Sequence, residues 1–104
     1  MNNTIINKLT DDVLTNDYFF SLFHKCSILN AKKTLKEEVT EEELTFKELK
    51  DSLRFADILS NSNKSEARNR AYQIVTFLNS VYFEHPMYRT VSKAVYSKLG
   101  NFPG

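Results

Sequence analysis

The sequence predicts an all-α fold, a compact bundle of four to five short helices in which residues 1–104 form a single domain. Three observations predict it. Apolar residues recur at steps of three and four along most of the chain, the period of an amphipathic helix. Turn formers are scarce: there are two Gly and two Pro, and Gly100, Pro103 and Gly104 fall in the last five positions, which argues against a β-sandwich or barrel. Helix-start signals stand where the periodic stretches begin.

The first periodic stretch is Thr4 to Leu14, with Ile5, Ile6, Leu9, Val13 and Leu14 apolar. Within it, Thr10-Asp11-Asp12 is a candidate interruption, because these side chains compete for backbone hydrogen bonds. Thr15-Asn16-Asp17 offers caps for a second helix reaching about Thr34 or Leu35. Its Tyr18, Phe19, Phe20, Leu22, Phe23, Cys26, Ile28 and Leu29 are apolar nearly all round, which predicts a central place in the core. A polar stretch at about 32–44 reads as a linker.

Both Thr40-Glu41-Glu42-Glu43 and Thr45-Phe46-Lys47-Glu48 match a capping box, and the second opens a helix from Phe46 to Leu59. Ser60-Asn61-Ser62-Asn63 is a loop. Asn63 and Ser65 are caps for the next helix, whose Ala67, Ala71, Ile74, Val75, Leu78, Val81 and Tyr82 form the clearest helical stripe in the chain. Pro86 ends it, and a last helix runs from about Met87 to Leu99. Gly100 suits a left-handed position at that helix's C-terminus. Short connections predict antiparallel neighbours.

Net charge is +1, but it is unevenly spread. Residues 37–57 carry −5 and residues 64–104 carry +4. The two halves either attract each other within the fold or orient the domain against a charged partner. Cys26 is the only cysteine, which fits a reducing compartment. The N-terminus lacks a basic region followed by an apolar run, and no stretch nears the ~20 apolar residues of a membrane span. The expectation is a cytoplasmic chain with no membrane association.

Catalysis needs a nucleophile, a base and an orienting group together. The candidates are Cys26, His24 and His85. Cys26 and His24 are two apart on one helix, about 200° around its axis, so they face differently. Cys26 among aromatics reads as a buried small hydrophobe. His85 precedes Pro86 in what reads as an exposed turn. Three His or Cys residues without ligand spacing do not build a zinc site, and two glycines do not build a phosphate loop. The sequence thus predicts no catalytic residue, no metal ligand and no cofactor.

Two binding surfaces are candidates. Lys64 and Arg68 are four apart on one helix, as are Arg89 and Lys93 on the next, and Tyr72, Tyr88 and Tyr96 interleave with them as a nucleic-acid face. The sequence pI of about 7.8 lies below the strongly basic range of nucleic-acid-binding domains. Tyr18, Phe20, Phe83 and Phe102 are hard to place together inside a core of this size, so they either complete the core or are candidates for a protein interface.

Leu53-Arg54-Phe55-Ala56-Asp57-Ile58-Leu59-Ser60, Ala67-Arg68-Asn69-Arg70-Ala71-Tyr72 and Leu99-Gly100-Asn101-Phe102-Pro103 together resemble the N-terminal helical region of some large bacterial DEAD/DEAH-box helicases. The resemblance covers residues from about 49 to 104. It implies an accessory domain preceding two motor domains, docking on the rest of the helicase, on another subunit or on nucleic acid. Some such helicases act in defence against phage. The motor's phosphate-binding loop and acidic Mg²⁺ box are absent from this sequence, so the resemblance carries over no ATPase residue. An ending just past a helix cap, at Asn101-Phe102-Pro103-Gly104, reads either as a boundary within a longer protein or as a true C-terminus. The expected function is a non-catalytic interaction module, with a protein partner or the remainder of a larger chain. A nucleic-acid-binding regulator is the alternative, and a homo-oligomer is a further partner class.

Overall fold

A computed structural model describes residues 3–36 and 44–100. Five α-helices make up the described residues: α1 (Asn3–Leu14), α2 (Asp17–Thr34), α3 (Phe46–Ser60), α4 (Ser65–Tyr82) and α5 (Pro86–Leu99). The fold is the expected all-α bundle. None of these helices is long and apolar enough to cross a membrane.

Local chemistry accounts for the helix ends. Asn16 accepts from the Phe19 amide and opens α2. Thr45 and Glu48 form the expected capping box at α3: Thr45 Oγ1 accepts from the Glu48 amide, and Glu48 Oε1 accepts from the Thr45 amide, both at 3.0 Å. Before α4 the cap differs from expectation. Lys64 occupies the N-cap without a side-chain bond, and Ser62 Oγ accepts from the Lys64 amide instead. His85 is not a free turn residue but the N-cap of α5, its Nδ1 accepting from the Met87 amide, with Pro86 in the first turn. Gly100 takes φ 65° after α5.

The core is built from one stripe of each helix. Phe19, Leu22, Cys26 and Leu29 of α2 face Leu49, Leu53, Ala56 and Leu59 of α3 and Ala67, Ala71, Ile74, Val75 and Leu78 of α4. Val13 of α1, Leu44 just before α3, and Tyr88, Val95 and Leu99 of α5 complete it. Burying a large aliphatic side chain here contributes about 1.5–3 kcal/mol. Helix α3 packs against all four other helices, and α4 packs against α2, α3 and α5.

Helix α2 enters the core as expected, but not on all sides. It buries only its 19/22/26/29 stripe, and Tyr18, Phe20 and Ile28 stay exposed. Helix α1 departs from expectation, running unbroken through Thr10-Asp11-Asp12. Thr10 is buried and its hydroxyl donates to the Ile6 carbonyl at 2.7 Å, which satisfies it inside the helix. Asp11 pairs with Lys64, and Asp12 pairs with Lys8.

The expected linker at about 32–44 overlaps the last turn of α2 at one end. At the other, Leu44 is buried in the core. Residues 37–43, with the first of the two capping-box matches, lie outside the described residues.

Neighbouring helices run antiparallel where cross-helix contacts fix the direction. Tyr18 meets Asp51 and Lys25 meets Glu48 between α2 and α3. Tyr88 meets Val75 while Tyr96 meets Thr76, and Arg68 reaches Leu99, between α4 and α5. α3 and α5, both adjacent to α4, then lie side by side and enclose a groove.

Candidate interaction surfaces

The four cations expected to share one basic face are divided by the fold. Lys64 pairs with Asp11 of α1. Arg68 turns inward over the ends of two helices. Its Nη2 donates to the carbonyls of Leu99 at 2.9 Å and Lys98 at 3.3 Å, and its Nη1 to that of Ser62 at 3.3 Å. The last turn of a helix presents carbonyls without intrahelical partners and a partial negative charge, so a guanidinium there closes the bundle.

Arg89 and Lys93 lie toward the opposite end of α5. Ten residues of helix, about 15 Å, separate Arg89 from Leu99. Both are exposed, and neither has an ion-pair partner among the described residues. The expected interleaving tyrosines are also divided. Tyr88 is buried, its hydroxyl donating to the Val75 carbonyl at 2.5 Å, and burial pushes its phenol well above the usual range. Tyr72 and Tyr96 stack edge-on at 5.9 Å on the α4–α5 face.

The candidate protein-interface residues are spread as well. Tyr18 and Phe20 stand on α2. The Tyr18 hydroxyl donates to Asp51 Oδ2 at 2.6 Å, and Lys47 Nζ donates to the same oxygen at 2.7 Å while lying over the Tyr18 ring. Hydrogen bonding from Lys47, then from Tyr18, holds the Asp51 carboxyl below its usual range. The bond to Asp51 raises the Tyr18 phenol. Phe20 packs edge-on against Phe19 at 5.4 Å. Phe83 is 57% exposed at the C-cap of α4, on the α4–α5 side. Phe102 lies outside the described residues.

Two grooves flank α5. One, of about 340 Å³, lies between α3 and α5. Leu53, Met87, Val91 and Ala94 form its apolar surface, and Lys50, Arg54 and Asp57 stand along α3. Asp57 is neutralised by Lys98. Lys50 lies 5.4 Å over the Phe46 ring, and neither Lys50 nor Arg54 pairs with a carboxylate among the described residues. The other groove, of about 410 Å³, is polar and lies between α4 and α5. Sequence reasoning did not single out Lys50, Arg54 or Asn79. The i,i+4 spacing of Lys50 and Arg54 is the same signal that marked Lys64 and Arg68, but it was hidden inside the acidic half of the chain.

The nucleophile candidates are placed apart. Cys26 is fully buried, its thiol donating weakly to Ser52 Oγ at 3.8 Å. Burial pushes that thiol up to about 11. His24 is exposed on the same helix. Among the described residues, no group of three or more His, Cys, Asp or Glu is placed to hold a metal ion.

The fold defines the chain as an all-α bundle with two grooves along its last helix. No family model, curated protein or solved structure matches it.

Proposed function

We propose that this chain is a non-catalytic helical interaction module, an accessory domain that takes an acidic, amphipathic segment of a partner protein into the groove between α3 and α5. The observation that carries this reading is the charge of that groove. Lys8, Lys25, Lys47, Lys64 and Lys98 each form an ion pair with a carboxylate, whereas Lys50 and Arg54 stand one turn apart beside apolar Leu53, Met87 and Val91 with no ion pair among the described residues. Uncompensated cations beside an apolar strip complement a helix with an apolar stripe and acidic flanks.

The likeness of residues from about 49 to 104 to helicase N-terminal regions supports an accessory place beside a bacterial motor protein, of the kind used in phage defence. The stretch includes α4, α5 and most of α3. The single buried cysteine supports a cytoplasmic setting.

An NMR titration tests the binding. The probe is a synthetic acidic amphipathic helix with Leu and Glu at helical spacing, compared with a scrambled peptide of equal composition. Amide shifts centred on Leu53, Met87, Val91 and Ala94, weakened in Lys50→Glu/Arg54→Glu, support the proposal. Equal shifts with the scrambled peptide, or shifts centred elsewhere, contradict it. Self-association driven by the acidic half of a second copy would appear as concentration-dependent sedimentation and would replace the partner protein by the chain itself.

A further inference from the structure

The polar groove between α4 and α5 gathers members of both candidate sets that the sequence had kept apart. Phe83 comes from the aromatic set, and Arg89 and Lys93 come from the basic set. Asn79 joins them from the last turns of α4. We infer that this groove is a binding site for single-stranded nucleic acid, with a base stacked on Phe83 and successive phosphates held by Arg89 and Lys93. The site is distinct from the α3–α5 groove on the other flank of α5.

Three features carry the inference. Phe83 is 57% exposed, an aromatic side chain that an unstacked base gains by covering. Arg89 and Lys93 project from one face of α5, a helical turn or about 6 Å apart, a spacing comparable to that of neighbouring phosphates in an extended strand. Both are exposed and lack carboxylate partners among the described residues, so phosphates meet no internal competitor.

The groove also rests on rigid supports. Tyr88 is buried beneath it and anchored to the Val75 carbonyl, and its hydroxyl oxygen lies 3.3 Å from the side-chain amide of Asn79. Two cations beside one aromatic suit a strand whose bases are free. A duplex keeps its bases stacked and offers Phe83 nothing to cover.

Fluorescence anisotropy with a short labelled oligouridylate tests the site, against the same strand annealed to oligoadenylate and against polyglutamate as competitor. The expected result is binding at low salt that prefers the single strand. Its logarithmic salt slope is about −1.4, from two phosphates at about −0.7 each. Phe83→Ala weakens binding roughly 5- to 150-fold, the range for loss of one stacked base, and Phe83→Tyr restores it. Arg89→Ala/Lys93→Ala brings the salt slope toward zero, while Lys33→Ala, exposed on α2 away from both grooves, leaves affinity unchanged. Far-ultraviolet circular dichroism on each variant verifies the fold. No binding at low salt, equal affinity for the duplex, equal competition by polyglutamate, or full affinity in Phe83→Ala would each overturn the inference.

Discussion

Arg68 of α4 donates to the Leu99 carbonyl at 2.9 Å and so closes the C-terminal end of α5 against the start of α4. The same guanidinium reaches the Ser62 carbonyl beyond the end of α3. A charged donor shared among helix-end carbonyls is worth about 1.5–3 kcal/mol. Arg68→Ala is expected to lower stability by about 2 kcal/mol and Tm by roughly 10 °C, read by thermal circular dichroism. Arg89→Ala, on an exposed face, is expected to stay within about 0.5 kcal/mol of wild type. Equal effects of the two would remove the distinction drawn between a structural and a free cation.

Glu48 links α2 to α3. Its carboxylate receives Lys25 Nζ at 2.8 and 3.0 Å and also the Thr45 amide. Hydrogen bonding from Lys25, then from Thr45, holds the carboxyl below its ordinary value of 4.5. The folded state therefore prefers the ionised form. Its stabilising contribution is complete above about 4.5 and is lost as pH falls through the depressed folded value. Glu48→Gln keeps an acceptor for the Thr45 amide but loses the charge. Urea unfolding is expected to show the variant about 0.5–1 kcal/mol less stable at neutral pH, with the difference disappearing in strong acid. A difference that persists unchanged at low pH would refute this account of the pair.

Cys26 should be chemically silent. A thiol fully buried against Ser52 and raised to about 11 offers little thiolate near neutral pH. Labelling by an aromatic disulfide reagent is expected to follow global unfolding, slow in buffer and stoichiometric in denaturant. Rapid labelling of the native protein would contradict the packing of α2 on α3.

Lys36 takes φ 61° just past the end of α2, in the left-handed region where a side chain is costly. Lys36→Gly is expected to raise stability by about 0.5–1 kcal/mol, measured by urea unfolding. A loss of stability would mean that the lysine side chain contributes there.

Much of the fold was legible because local signals agreed with the global packing. The α3 capping box, the α4 stripe and Gly100 at the end of α5 all stand where the sequence put them, whereas Pro86, read as the stop of α4, opens α5 after α4 has ended at Tyr82. The failures have a common cause. The all-round apolarity of α2 could not reveal which stripe would be buried, because α3 and α4 select it through tertiary contact. Thr10 read as a helix breaker because its hydroxyl's bond back to Ile6 is invisible in composition. Most of the candidate surfaces were not legible. Residue type and spacing marked Arg68 and Arg89 as equivalents, yet one lies over carbonyls that the chain brings in from 30 residues away. Phe83 and Arg89 share a groove only because α4 and α5 fold back on each other.

Photo-cross-linking from the exposed position 94 tests the central proposal most directly. A benzophenone side chain in place of Ala94 is expressed in the chain's native cells, and the cross-linked segment is sequenced. The expected result is an acidic, amphipathic segment of one partner protein, lost when Lys50 and Arg54 are both changed to Glu. A cross-link that survives that charge reversal, or a captured segment without acidic residues, would contradict the assignment of the α3–α5 groove as the surface this module uses.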